Sequence, residues 1–237
     1  MASAGSSRSW SSDTMPKVID GDGVIIDGAG ARATAAVKVI DSFERNSSSP
    51  GAQYFGQTDE FAIRHQDTLG FDAVQGERVL YNPAGNGFSA IYSTSGLPFY
   101  FPTGTRALCY VRTPDTTGRG RIHCGVDGSN QWYNLVMDIG RDDFVLVKAE
   151  SDGSRTTLDT AAGIGLQADT WYAVDMGRED GTLATGSDHL AATIAPDGGS
   201  SIGTVSTTDG IHSDADGVGF SVIEDGSSAW AFDFYHR

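Results

Sequence analysis

Lysine is nearly absent from this 237-residue chain, which has Lys17, Lys38 and Lys148 beside 13 arginines. With 16 basic against 31 acidic residues the formal charge is −15, and a partner such as nucleic acid, whose phosphates must be met by Lys and Arg, is excluded. No apolar run approaches the roughly 20 residues of a membrane-crossing helix, so no membrane insertion is expected. Cysteine is limited to Cys109 and Cys124, and without Cys-x-x-Cys or His-Glu-x-x-His a zinc site has no support. Glutamate is scarce as well: Glu44, Glu60, Glu77, Glu150, Glu179 and Glu224 lie far apart. Retaining glycoside hydrolysis needs two carboxylates about 5–5.5 Å apart, and the wide spacing of these glutamates pairs none of them, so the chain is expected not to be an enzyme. No window keeps apolar residues at helical spacing without a Gly or Pro, which rules against long helices. No longer period repeats, which rules against solenoids and propellers.

What the chain has in quantity is aspartate, 25 residues, and glycine, 31. Dense short carboxylates with almost no lysine suit a surface that stays hydrated where salt screens ordinary electrostatics, a halophile-type pattern. Asp-Gly turns between strands account for part of the same excess. From Val37 onward short strand candidates recur between Gly, Asp, Asn and Pro turns: VKVIDSF, EFAIRH, GERVLYN, FSAIYST, PFYF, TRALCYVRT, GRIHCGV, QWYNLVMDI, FVLVKAE, RTTLDT, TWYAVDMG, HLAATIA, GTVSTT, GVGFSVI and AWAFDFYHR. Their alternation marks faces: Tyr172, Val174 and Met176 form one apolar set, Leu190, Ala192 and Ile194 another, Val218, Phe220 and Val222 a third. Such a succession predicts an all-β sandwich or barrel, with Trp171 and Trp230 expected in its core.

Cys109 and Cys124 flank the turn PDTTGRG. Pairing their strands as a hairpin sets the two thiols opposite one another and groups Cys109, Val111, Ile122 and Cys124 on one face. Directly opposed residues are within disulfide range. Both a bridge and a pair of buried free thiols fit this register, and the lack of an export signal favours the thiols.

The opening MASAGSSRSWSSDT carries neither the apolar core of a secretory leader nor a twin-arginine signal. The expectation is a chain made in the cytoplasm and released within an assembly, with an extracellular or cell-surface site as the alternative. Residues 1–36 read as an arm in which Val18–Asp20 and Val24–Asp27 form short strands about a Gly-Asp-Gly turn, too little to make a core of its own. Residues 37–237 make the sandwich. Trp10, Val18, Ile19, Val24, Ile25 and Ile26 are the candidate anchors of the arm on a partner, because isolated apolar side chains in a polar segment are most useful in another protein's pocket.

Three segments carry a family resemblance: VIDSFE at 39–44, DTWYAVDMG at 169–177, and GVGFSVIEDGSSAWAFDFYHR at 217–237. Together with Thr208-Asp209 they resemble the concanavalin A-like lectins and glucanases, in particular laminin-G-like domains. The resemblance implies a two-sheet antiparallel jelly-roll sandwich. It also implies a structural calcium ion near the paired terminal strands, for which Asp41, Glu44 and Asp233 fall on the matching segments; no other cofactor is required. Glycan recognition would use exposed aromatics beside polar groups, and Tyr92, Tyr100, Asn130, Trp132 and Tyr133 are the candidates. Similar lyases bring His, Tyr, Arg and Gln into one groove, but the spacing of His65, His123, His189, His212 and His236 pairs none of them, and surface or strand positions are expected for all five.

A narrower likeness joins IDSFER and YFGQTDEFAIRH to the opening of β-sandwich domains in salt-loving archaeal surface proteins and in structural proteins of their tailed viruses. The reading it implies is a structural protein of a halophilic virion, a capsid-surface, turret or tail component. Its arm would attach to other structural proteins, and its jelly roll would be displayed outward as a homo-oligomer that contacts host surface glycans. The alternatives are a stand-alone glycan-binding lectin-like module and a divergent glycan-cleaving enzyme.

Overall fold

Alternation of apolar and polar residues gives each strand of this chain an inner and an outer side, and two sheets that share their inner sides follow from it. A computed structural model shows the result. Outside the described residues lie 1–17, 20–24, 27–42, 52–53, 84–87, 94–100, 114–116, 127–130, 180–182, 185–186, 213–214, 224–229 and positions 45, 75, 102, 211, 216 and 237. The side chains of several strand residues, Trp230 and Asp233 among them, lie outside as well.

The chain divides into two units, Met1–Lys38 and Val39–Arg237. In the first, β1 (Val18–Ile19) and β2 (Ile25–Ile26) pair antiparallel, Val18 opposite Ile26 and Ile19 opposite Ile25. The other proposed anchors, Trp10 and Val24, lie outside the described residues.

The second unit holds β3 (Phe55–Gly56), β4 (Ala62–His65), β5 (Arg78–Asn82), β6 (Phe88–Tyr92), β7 (Arg106–Arg112), β8 (Arg119–Val126), β9 (Trp132–Asp138) and β10 (Asp143–Ala149). It continues with β11 (Arg155–Ala162), β12 (Trp171–Arg178), β13 (Leu190–Pro196), β14 (Gly203–Thr207), β15 (Gly217–Ile223) and β16 (Trp230–His236). They form two seven-stranded sheets, β11-β10-β9-β8-β15-β6-β3 and β14-β13-β12-β7-β16-β5-β4. Every neighbouring pair is antiparallel. The described helices are single 3-10 turns, Thr58–Glu60 and Gln66–Thr68, and no described helix is long and apolar enough to cross a membrane.

Between the sheets lies one core, with Ile91, Ile122, Leu135, Met137, Phe144, Leu146, Val218, Phe220 and Val222 facing Leu80, Val111, Tyr172, Val174, Met176, Ile194, Val205 and Phe232. Removing a side chain of this kind from water contributes about 1.5–3 kcal/mol, so the shared inner faces dominate the stability. Of the strand candidates VKVIDSF and PFYF, only the last residues are described, and Phe43 and Phe101 are both fully buried.

Two expectations are corrected. Cys109 and Cys124 do not sit on one hairpin, because β7 belongs to one sheet and β8 to the other; Cys109 stands opposite Val174 and Phe234, Cys124 opposite Val218 and Tyr133. Alternation had placed both thiols correctly on an inner side, but the chain crosses the sandwich between them. Both are buried thiols, not bridged to one another, with Cys124 Sγ 3.8 Å from Met176 Sδ. Trp171 is not core either. With Tyr172 inward, it must point outward, where its ring meets Phe71 edge-on at 6.0 Å and its Nε1 donates to the Asp72 carbonyl at 2.9 Å.

The two sheets are also tied along one open side. Asp159 of edge strand β11 lies beside an irregularity in the β10–β11 register, and its Oδ2 accepts from the Ser206 amide of β14, the edge of the other sheet, at 2.9 Å.

Candidate functional site

The outer side of the sheet that contains β8 carries the densest set of unusual groups. Cross-strand register puts Tyr92, Gly219, His123, Asn134, Val147 and Thr157 in one row across six strands. The next row holds Ala90, Ser221, Arg121, Val136 and Val145, and the one after it Ile223, Arg119, Asp138 and Asp143. Residues two apart on each strand share this side, so three of the polar residues of β8 and three of the outward residues of β9 project together.

Gly219 makes the first row possible. A Cβ there would lie 2.6 Å from the Ile91 carbonyl oxygen and 2.7 Å from Tyr92 Cδ1. Without one, the Tyr92 ring leans across β15 and meets the His123 ring at 4.9 Å, edge to face. Trp132 completes the group, tilted 31° to Tyr92 at 5.0 Å and perpendicular to His123 at 5.4 Å.

His123 Nε2 lies 2.7 Å from Ser221 Oγ. Burial, with the positive charge of Arg121 and Arg155, holds this imidazole well below its ordinary value of 6.5, so it is neutral at pH 7. Burial pushes the Tyr92 phenol up, against the pull of the same two arginines. Four buried atoms in this group have no hydrogen-bond partner: His123 Nδ1, Trp132 Nε1, Arg121 Nε and Asn134 Oδ1. Native structures pair nearly all such atoms, so four together on one side of one sheet call for an explanation.

Beside the rings opens a cleft of about 240 Å³ whose polar lining includes Arg119, Arg121, Asn134, Asp138, Arg141 and Arg155, set on a floor of Val136, Val145 and Val147. Asp138 is the carboxylate among the described lining residues. It accepts from Arg119 Nε at 2.7 Å and from the Arg141 amide at 3.1 Å.

Of the candidate ligand-binding residues, the structure brings together Tyr92 and Trp132. Tyr133 points the other way: it is 1% exposed in the core, and its hydroxyl donates to the Asp209 carbonyl at 2.6 Å. Tyr100 and Asn130 lie outside the described residues. Arg121, His123 and Asn134 were not foreseen, although Arg-x-Arg-x-His on one strand and Trp-x-Asn-x-Val-x-Asp on the next carry the signal.

Three of the histidines expected at surface or strand positions are buried, and His123 among them is at a strand position, on β8. His123 is in the site; His189 and His212 stack on Tyr133 at 5.3 and 5.0 Å. They belong to a second cluster around Arg178, which donates to the carbonyls of Phe101 and Ala215 at 2.7 Å each, while His189 Nδ1 lies 2.5 Å from Glu179 Oε1. Those bonds fasten connecting segments to β12. The calcium candidates are not assembled among the described residues. Glu44 Oε1 accepts the amides of Glu77 and Arg78 at 2.9 Å each, while Asp41 and the Asp233 side chain lie outside the description. No group of three His, Cys, Asp or Glu side chains among the described residues could hold a metal ion.

No protein-family model and no curated protein matches the chain. Among solved structures, the carbohydrate-binding module CBM66 of Bacillus subtilis superposes with a TM-score of 0.50 at 14% identity, over 79% of this chain and 94% of the module. A glycoside hydrolase family 16 endo-glucanase from Bacteroides ovatus does so with a TM-score of 0.50 at 12% identity, over 82% of this chain and 97% of the enzyme. The fold is the concanavalin A-like antiparallel sandwich. Carbohydrate-binding modules and glycoside hydrolases share that fold.

Proposed function

We propose that this protein is a glycan-binding, lectin-like module whose site is the outer side of the sheet β11-β10-β9-β8-β15-β6-β3. The observation that supports this most is the convergence of four unpaired buried polar atoms with the Tyr92 and Trp132 rings beside an open cleft. Sugars present apolar C–H faces, which pack on aromatic rings, and hydroxyls that both donate and accept, which suits an indole N–H, a guanidinium Nε–H and an amide oxygen left unmatched by the chain. The fold shared with carbohydrate-binding modules is in keeping with the reading.

Binding without cleavage is the part of the proposal that concerns chemistry. Its support is Asp138, which is committed to Arg119 and the Arg141 amide although Asp143 stands opposite it on the neighbouring strand. Display on a halophilic virion is the finer reading. It draws on the acidic composition and on the likeness of IDSFER and YFGQTDEFAIRH to viral sandwich domains.

A glycan array with the full chain, followed by titration calorimetry of the best ligand against Trp132→Ala, tests the reading. Binding that weakens by about tenfold or more in the variant is expected, the loss of one stacked ring at a site centre. An array without signal, or an affinity that Trp132→Ala leaves unchanged, would overturn it.

A further inference from the structure

The glycan-binding reading leaves the chemistry of the sugar open, and the following inference rests on that reading. In a chain of net charge −15, the cleft gathers Arg119, Arg121, Arg141 and Arg155 around a single described acid, Asp138. Asp138 answers Arg119 at 2.7 Å and lies 3.7 Å from Arg141. Neither Arg121 nor Arg155 forms an ion pair with a described carboxylate. The chain has 31 acidic side chains to choose from, so the lack of one here is not a matter of supply.

Arg121 is the more telling of the two. It is 6% exposed, and a guanidinium that far from water is strongly unfavourable unless an anion or a full set of acceptors meets it. Its Nε has no acceptor, and Asn134, 2% exposed and also lining the cleft, has no donor for its Oδ1. Burial and the like charges of Arg155 and Arg119 push Arg121 down to about 10, and the weaker pull of Asp138 does not offset them.

We propose that the cleft selects acidic glycans, with a sugar oxyanion held by Arg121 and Arg155 and a sugar hydroxyl donating to Asn134 Oδ1. The oxyanion is a uronate carboxylate or a sulfate ester, since both present oxygens that a guanidinium meets with charge-assisted hydrogen bonds. An acidic peptide fits less well. A peptide strand docks through free backbone groups at a sheet edge, whereas most of this cleft lies over β8, β9 and β10, whose backbone groups are engaged with neighbours on both sides, and only β11 at its rim is an edge strand.

The test is calorimetric titration of the full chain with an oligogalacturonate, with the same oligosaccharide after reduction of its carboxyl groups, with sulfated dextran, with unmodified dextran and with an oligo-aspartate. Arg121→Gln and Arg155→Gln are measured beside the native protein. Arg155, at the exposed start of β11, serves if Arg121→Gln fails to fold. Expected is binding of the uronate or the sulfated glycan at least about tenfold tighter than of its uncharged counterpart, with most of that margin lost in each variant and the margin shrinking as salt rises. Preference between the two charged probes then assigns the oxyanion. Equal affinity for charged and uncharged sugars, unmoved by the arginine variants, would sink the acidic-glycan inference and leave glycan binding standing. Tight binding of oligo-aspartate with none of any sugar would overturn both.

Discussion

Placing one carbon atom at Gly219 disturbs fold and site together. In Gly219→Ala the new Cβ would sit 2.6 Å from the Ile91 carbonyl oxygen and 2.7 Å from Tyr92 Cδ1, both inside the closest approach that carbon tolerates. The ring can swing aside, but the carbonyl belongs to β6, so relief needs a shift of that strand against β15. Overpacking of this kind costs about 1–3 kcal/mol, offset by up to about 1 kcal/mol because alanine loses less backbone entropy in a strand than glycine. A net loss of about 1–2 kcal/mol lowers the melting temperature of a domain of this size by roughly 2–8 °C. Displacing the Tyr92 ring also parts it from His123, so glycan affinity should fall while the fold survives. Gly140→Ala is the control: its Cβ would meet nothing closer than an Asp138 oxygen at 3.7 Å, and a change within about 0.5 kcal/mol is expected. Thermal melts and near-ultraviolet circular dichroism read both variants. If Gly219→Ala melts with the native protein and binds the same glycan equally well, the account of how the site is built is wrong.

Two further outcomes follow from buried groups. Stability to urea should be at its full value above about pH 6.5 and decline below it. His123 and His189 titrate lower in the fold than the ordinary 6.5, so beneath that value the unfolded chain holds more protons, with a slope of up to about 1.4 kcal/mol per pH unit for each histidine. His123→Gln should flatten part of that decline, and a urea midpoint identical at about pH 7.5 and pH 5.5 would count against it. Burial pushes the Cys124 thiol up to about 12, and Cys109 lies in the same core, so a thiol reagent should label neither in the native protein and both in urea. Rapid labelling without denaturant would show that the core opens.

Much of the architecture was legible because it follows from period 2. Tyr172, Val174 and Met176 face the core as their alternation requires, and so do Leu190, Ala192 and Ile194. The two glycines that open the segment GVGFSVI have a physical reason, since neither Gly217 nor Gly219 has room for a Cβ. Alternation assigns a side and not a sheet, which is why Cys109 and Cys124 were read as hairpin partners when they face the core from opposite layers. The site was half legible for a related reason. Tyr92 and Trp132 stood out as aromatics, but Arg121 and Asn134 were not singled out, and His123 read as a surface or strand histidine. Only the register across β6, β15, β8 and β9 brings them side by side, and only the fold shows that they are buried. Tyr133, adjacent to Trp132, was mistaken for its companion because both are aromatic, although adjacent residues of a strand must point to opposite sides.

The reach of Asp159 to the Ser206 amide bears on how copies of the chain meet one another. A sandwich of two open sheets ends in edge strands whose outward amides can recruit a strand from a second molecule and propagate into a fibril. At β14 one such amide is already satisfied by a carboxylate from the facing layer, and that carboxylate brings negative charge to the spot where an incoming strand would have to lie. The edge of β14 is thereby guarded at this point against pairing with a strand of a second copy.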